Sequence, residues 1–132
     1  MPQISITRLR LRSAWLFPPF AWHSFRSLRQ ARASDGCLAA AVNNFSGAFW
    51  TLTVWRDRAA MRGFMLGGAH RTAMPKLAKW CDEASLAHWD QDSAEMPSWV
   101  EGERRLELEG RTSVVDHPSP AHASGKTLGS AA

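Results

Sequence analysis

A strand that is apolar on both faces is the feature that most constrains the fold of this chain. Residues 49–55, FWTLTVW, alternate between the two faces of a predicted strand. One face carries Trp50, Leu52 and Val54, and the other carries Phe49, Thr51, Thr53 and Trp55. Such a strand has to be covered on both faces. In a chain of 132 residues we expect a second subunit to supply one cover, which predicts a homodimer with a shared interior.

Composition predicts one globular domain without a membrane span. Hydrophobic residues make up 45% of the chain, but no apolar run approaches the roughly twenty residues that cross a bilayer. Arginines interrupt the N-terminal region in which a signal peptide would have its apolar stretch. Cys37 and Cys81 lack the spacing of a redox or metal motif, so we expect reduced thiols, no metal site and a cytoplasmic location.

Charge is strongly segregated along the chain. Residues 1–32 carry six arginines and no acid, whereas residues 81–109 carry nine acids and two arginines. We expect these two segments to fold against each other, within one chain or between subunits. Because nucleic-acid binding favours a basic face without a matched acidic arm, we predict no nucleic-acid partner.

The pattern of elements predicts an α+β fold of the ferredoxin-like order β-α-β-β-α-β, with both helices on one face of the sheet. Packing two such sheets face to face gives a dimeric α+β barrel. The predicted strands are residues 6–12, 37–42, 49–55 and 84–89, and the predicted helices are residues 20–33 and the two-part stretch after Asp57 that ends near Trp80.

The chain divides into three predicted segments. Residues 1–92 form the ferredoxin-like dimeric-barrel domain. Residues 93–110 form an acidic arm with a short helix, because Ser98 and Glu101 make a capping box. Residues 111–132 are rich in Ser, Ala, Gly, Pro and His, and we expect them to be a disordered tail.

Three arginines share one face of the first strand. Leu9 and Leu11 are expected to face the helices, which leaves Arg8, Arg10 and Arg12 on the open face. Arginine offers a forked set of donors, so these residues could bind an anionic ligand. The alternative is pairing with the acidic segment, residues 82–109.

The order of motifs in the middle of the chain resembles a known group of proteins. FWTLTVW is followed by an acid-capped helix ending at Phe64, by GGAHR, by a tryptophan-bearing helix and by a closing strand. This order, over about residues 4–90, resembles small proteins related to spheroidene monooxygenase. More broadly it is similar to the dimeric α+β barrel superfamily, which includes antibiotic-biosynthesis and haem-degrading monooxygenases.

The resemblance implies a fold and a class of reaction. It implies a monooxygenase, an oxidoreductase that acts on a small hydrophobic, aromatic or polyene ligand, with haem or without a cofactor. The alternative is a non-catalytic ligand-binding or structural homodimer of the same fold. His70 is the nearest match to the proximal haem ligand of the haem-degrading relatives. The haem-degrading relatives also use a tryptophan, and an asparagine on the first strand. In this chain Phe64 lies near the position of that tryptophan, and Thr7 lies on the strand that carries the asparagine. The chain therefore departs from these relatives at two features.

Candidate site residues follow from the pattern and the resemblance together. His70 would be a haem ligand or a general base, and the alternative is a histidine at a helix N-terminus bonded to the backbone. Arg8, Arg10 and Arg12 would bind acidic groups such as haem propionates. The predicted substrate pocket comprises Trp50, Thr51, Thr53, Trp55, Phe64, Trp80 and His88. For the tryptophans and the histidine of this pocket, the alternative role is core packing.

An aromatic segment precedes the first helix. The stretch WLFPPFAW runs from Trp15 to Trp22. It predicts either a peripheral membrane contact that takes up a lipophilic substrate, or a cap on the barrel end or dimer seam.

Overall fold

The computed structural model describes residues 1–131. One antiparallel sheet has the strand order β2-β3-β1-β4-β5. The predicted ferredoxin-like α+β order is confirmed, and two helices and a short strand follow it. The strands are β1 (Gln3–Leu11), β2 (Cys37–Phe45), β3 (Ala48–Trp55), β4 (Cys81–Asp90) and β5 (Arg111–Thr112), and the helices are α1 (Phe17–Ala33), α2 (Arg58–Met65), α3 (Gly68–Trp80), α4 (Trp99–Glu109) and the single turn α5 (Pro120–Ala123).

Side-chain caps begin two helices where the sequence predicts them. The Asp57 carboxylate accepts a hydrogen bond from the amide of Ala60 at 2.8 Å and begins α2. The Ser98 hydroxyl accepts one from the amide of Glu101 at 3.1 Å and begins α4. Each cap satisfies a backbone donor that the first turn of a helix leaves free.

One face of the sheet consists of large apolar side chains. The register places Ile6 of β1 between Leu52 of β3 and Ala87 of β4. Ile4, Trp50, Val54 and Trp89 extend the same face, and the whole set is buried. Burial of this face is the main hydrophobic contribution to the fold.

The cover of this apolar face comes from the chain itself. Leu106 of α4 is fully buried against it, and Met96, Trp99 and Leu128 pack around the same cluster. Gly102 lets α4 approach the sheet, because a Cβ atom there would lie 2.5 Å from Cδ1 of Ile6. The expectation that a second subunit covers this face is therefore corrected. Homodimer formation itself stays a prediction.

The segment after residue 110 also differs from its prediction as a disordered tail. β5 pairs with β4 by placing Thr112 beside Ser85. Further along, the hydroxyls of Ser119 and Ser130 donate to Glu83 at 2.6 and 2.7 Å. A buried carboxylate needs such donors, and composition alone does not reveal that these serines supply them.

The basic and acidic segments pair as the charge pattern predicts. Nη1 of Arg8 donates to Glu83 at 2.9 Å, with both side chains buried, and Arg10 binds Asp82 through two hydrogen bonds of 2.9 and 2.7 Å. Burial alone would raise the pKa of Glu83. The hydrogen bonds donated by Ser119, Ser130 and Arg8 outweigh burial, and the pKa falls to about 2.

We expect Leu106→Ala to lower the free energy of unfolding by about 2–5 kcal/mol, because it opens a cavity between α4 and the sheet. Leu108→Ala is the matched control, since that side chain is 67% exposed on the same helix. The control should change stability by less than about 0.5 kcal/mol. Urea denaturation measures both. Equal effects of the two variants would contradict the closure of the sheet by α4.

Candidate functional site

A cavity of about 180 Å³ lies between the second face of the sheet and the layer formed by α1, α2 and α3. Its floor is built from small hydroxyl side chains at the centre of the sheet. Ser5 pairs with Thr53, and Thr7 pairs with Thr51, across β1 and β3. These four side chains are much smaller than the isoleucine and tryptophan residues on the opposite face, so they leave space beneath the helices.

The roof of the cavity is apolar. Methionine and leucine side chains from all three helices contribute to it, together with two serines of α1. Among the described residues that line the cavity, none is Lys, Arg, Asp or Glu. The principal roof residues are Ser24, Ser27, Leu28, Met61, Met65, Met74 and Leu77. A pocket with this lining suits an uncharged, mostly apolar ligand held by a few hydroxyl contacts.

His70 lies at one side of the cavity, near the start of α3. Its ring is 4.6 Å from the ring of Phe64, which in turn stacks on Trp55 at 5.2 Å. The indole nitrogen of Trp55 donates to the hydroxyl of Thr53 at 2.9 Å. An aromatic wall therefore connects the histidine with the hydroxyl floor.

The surroundings of His70 favour a neutral ring with a defined tautomer. Nδ1 lies 3.3 Å from the carbonyl oxygen of Met65, which can only accept, so Nδ1 carries the proton and Nε2 keeps its lone pair. Burial lowers the pKa of His70 below its ordinary value of 6.5, and the hydrogen bond to Met65 offsets this only in part. The side chain is thus able to accept a proton near neutral pH.

Gln30 of α1 fixes the turn that carries this histidine. Its Nε2 donates to the carbonyl oxygens of Phe64 and Gly67 at 3.1 and 2.8 Å, and its Oε1 accepts from the amide of His70 at 2.8 Å. Gly68 has a φ of +54°, and a Cβ atom there would lie 3.0 Å from Oε1 of Gln30. No sequence pattern singles out Gln30, because its partners lie 34–40 residues away.

Two more histidines line the cavity. His88 of β4 pairs with Ser5 across the sheet. Burial is the main cause that lowers the pKa of His88, and Arg111 and Arg58 add to it. His23 of α1 lies with its ring 5.5 Å from Trp80.

Most of the predicted pocket residues meet at this cavity, and two do not. Thr51, Thr53, Trp55, Phe64, His70 and His88 line it. Trp50 lies on the opposite face of the sheet, stacked on Phe45 at 4.5 Å. Trp80 packs beside the cluster that contains Phe20 instead of lining the cavity. Ser5 and Thr7 were missed, although they alternate in phase with Leu9, which was expected to face the helices.

Arg8 and Arg10 of β1 and Arg12, which follows β1, do not line the cavity. Arg8 is buried on the opposite face and pairs with Glu83. Arg10 pairs with Asp82, and Nε of Arg12 donates to the carbonyl oxygen of Lys79 at 2.7 Å. Two roles are predicted for these arginines, binding of an anionic ligand and pairing with the acidic segment. Arg8 and Arg10 have the second role.

Haem does not fit the residues of this cavity. Its volume of about 180 Å³ is below the roughly 300–1,000 Å³ of pockets that enclose drug-sized ligands, and a porphyrin is at least as large. No lysine or arginine among the described lining residues could bind the propionates. We therefore assign no role to haem in this cavity.

Comparison with protein families places the chain among its relatives. The family described as domain of unknown function (DUF3291) matches residues 20–113. The chain belongs to this family. The matched segment contains the roof residues, His70, and Thr51 and Thr53 of the floor, but not Ser5 and Thr7. No curated protein sequence gives a significant match to this DUF3291 chain.

Solved structures show which fold this DUF3291 protein shares. Rv0793 from Mycobacterium tuberculosis is 16% identical, with a TM-score of 0.62 over 70% of this chain and 100% of that one. SnoaB from Streptomyces nogalater, described as a cofactor-independent oxygenase, is 12% identical, with a TM-score of 0.58 over 70% of this chain and 94% of that one.

A third structure, described as an antibiotic biosynthesis monooxygenase, is 15% identical, with a TM-score of 0.61 over 70% of this chain and 100% of that one. Together these similarities confirm the predicted resemblance to the antibiotic-biosynthesis-monooxygenase group at the level of the fold. The solved chains are covered almost completely, so the remaining part of this DUF3291 chain lies outside the shared fold.

We expect the free energy of unfolding to fall as the pH drops from 7 to 5. The folded-state pKa of His70 is lowered from 6.5, so the unfolded chain binds more protons once the pH falls through that value. Urea denaturation at several pH values measures this. His70→Gln should flatten the pH dependence, and Arg71→Gln at the neighbouring exposed position should not. The same slope in both variants and wild type would contradict a buried neutral His70.

Proposed function

We propose that the protein oxidises a small aromatic compound with dioxygen, without a cofactor, in the cavity between the sheet and α1, α2 and α3. The observation that carries this proposal is a neutral histidine on the wall of a mostly apolar cavity that has a floor of hydroxyl groups. The shared fold with SnoaB, which is described as a cofactor-independent oxygenase, adds support.

The size and lining of the cavity define the class of substrate. An apolar cavity of roughly 150 Å³ in an engineered protein takes up benzene, so about 180 Å³ suits a compound of one or two rings better than a long polyene. The uncharged lining favours a substrate that enters in its neutral form. The hydroxyls of Ser5, Thr7 and Thr51 would bind a phenolic or ketonic oxygen.

His70 would act as the general base. It would remove a proton from an activated methylene group or a phenol, and the resulting anion is electron-rich enough to transfer an electron to dioxygen. For a methylene substrate, recombination forms a C–O bond and a hydroperoxide, and loss of water leaves a ketone. The step balances, because the methylene carbon loses four electrons and dioxygen gains them. One oxygen atom enters the ketone, and the other leaves as water with the two methylene hydrogens.

The cavity would assist this chemistry by excluding water. An apolar lining strengthens the electrostatic interaction between the anion and protonated His70, and it limits side reactions of the hydroperoxide. The proton held by His70 would return to the departing hydroxide, which closes the cycle. Gln30 would act as a positioning residue, because it fixes the turn beside the base.

Oxygen uptake tests the proposal directly. The purified protein is supplied with β-tetralone and β-naphthol under isotopically labelled dioxygen, and the product is analysed for one labelled oxygen atom. His70→Gln should reduce kcat by about 10²–10⁴-fold, the usual contribution of a general base. Arg71→Gln, the exposed neighbour, should leave kcat within about twofold.

The alternative function is that of a non-catalytic binding protein of the same fold. It predicts that wild type and His70→Gln bind both compounds with the same affinity, and that neither protein consumes oxygen. That result would overturn the proposed oxidation and retain the cavity as a ligand site. Failure of both compounds to bind would contradict the substrate class as well.

A further inference from the structure

The layer formed by α1, α2 and α3 carries positive charge only. These three helices contain eight basic residues and no Asp or Glu, and all eight basic side chains are exposed. They are Arg26, Arg29, Arg32, Arg58, Arg62, Arg71, Lys76 and Lys79. The acidic segment lies elsewhere, in β4 and in α4, which covers the opposite face of the sheet. Charge is therefore separated across the thickness of the molecule.

The same layer exposes large apolar side chains among these charges. Within this layer, Trp22 and Phe25 of α1 are 59% and 52% exposed. At its borders, Trp15 before α1 is 91% exposed and Leu66 after α2 is 65% exposed. Trp22, Phe25 and Arg29 follow each other at helical spacing, so they share one exposed stripe of α1. A monomer rarely exposes apolar side chains of this size together without a binding function.

The acidic groups near the layer leave its charge largely uncompensated. Asp35 and Asp57 lie in the loops before β2 and α2, and both pair with Arg56, at 3.3 and 3.5 Å. Asp116 lies near the end of α3, with its amide bonded to the carbonyl oxygen of Ala78. In the same region, burial of the His23 ring lowers the pKa of His23, and the positive charges of Lys76 and Arg26 lower it further.

We propose that the outer surface of α1, α2 and α3 docks on an anionic lipid membrane. Basic side chains attract the surface of anionic lipids, and interfacial tryptophan, phenylalanine and leucine side chains enter the headgroup region. The exposed aliphatic and aromatic groups favour lipid over nucleic acid, for which phosphate contacts dominate. No helix within residues 1–131 is long and apolar enough to cross a membrane.

The docked orientation gives the cavity access to lipophilic compounds. Met74 of α3 is 43% exposed and also lines the cavity. A compound dissolved in the bilayer would therefore meet the cavity from the docked side. The docking surface itself is independent of the proposed oxidation, since none of its arginines or tryptophans lines the cavity.

Vesicle flotation of the full chain tests the docking surface. We expect binding to vesicles of phosphatidylcholine mixed with phosphatidylglycerol, little binding to phosphatidylcholine alone, and loss of binding at high salt. Arg26→Glu/Arg29→Glu should weaken binding at least roughly tenfold, because each basic residue near an anionic surface contributes on the order of 1 kcal/mol. Arg104→Glu/Lys126→Glu makes the same charge change outside the layer and should bind like wild type.

A second variant tests the apolar part of the contact. Trp22→Ala/Phe25→Ala removes two exposed side chains without changing the charge, and it should reduce vesicle binding and the blue shift of tryptophan fluorescence on binding. Circular dichroism establishes that each variant is folded.

Three results would overturn the proposal. The first is no binding to anionic vesicles, and the second is equal loss of binding in the Arg104→Glu/Lys126→Glu control. The third is selective binding of a DNA duplex, or salt-sensitive self-association, in place of vesicle binding.

Discussion

The two unlike faces of one sheet are the constraint on which this structure depends. On β1 and β3, residues of one parity are large and apolar, such as Ile6 and Trp50, while residues of the other parity at the sheet centre are small hydroxyls, such as Thr7 and Thr51. The large face forms a tightly packed core with α4. The small face cannot fill the space under α1, α2 and α3, and a cavity results. Stability and the candidate chemistry are thus assigned to opposite sides of the same strands.

A buried ion pair joins the closing segment to this sheet. Arg8 and Glu83 are both almost fully buried, and such a pair is tolerated only when further hydrogen bonds satisfy its polar atoms. Ser119 and Ser130 provide such bonds to Glu83 from the C-terminal segment, whereas Nε and Nη2 of Arg8 have no hydrogen-bond partner among the described residues. Docking of the C-terminal segment is therefore coupled to the Arg8–Glu83 ion pair. The chain itself covers the apolar face of the sheet, for which the sequence pattern predicts a second subunit.

Alternation and capping made much of the fold predictable. The pattern of residues 49–55 required two covers, and Asp57 and Ser98 marked helix starts that the structure confirms. The alternating pattern does not reveal whether the second cover of the sheet belongs to the same chain. That cover depends on a few apolar residues, such as Leu106, in an otherwise acidic helix. Composition likewise concealed the serines that bind Glu83.

The candidate site was predictable in part for similar reasons. His70, Trp55 and Phe64 were found because motif order and resemblance singled them out, and they do line the cavity. Trp50 was misplaced because both faces of β3 are apolar, so pattern alone does not say which face borders a cavity. Gln30 escaped notice because its role rests on three long-range hydrogen bonds.

Binding of a small aromatic ligand in the hydroxyl-floored cavity is tested most directly by nuclear Overhauser spectroscopy with saturating β-naphthol. We expect cross-peaks from the ligand ring to the methyl groups of Thr7, Thr51 and Thr53. Absence of these cross-peaks, or cross-peaks to Ile6 and Leu52 on the opposite face of the sheet instead, would contradict binding in this cavity.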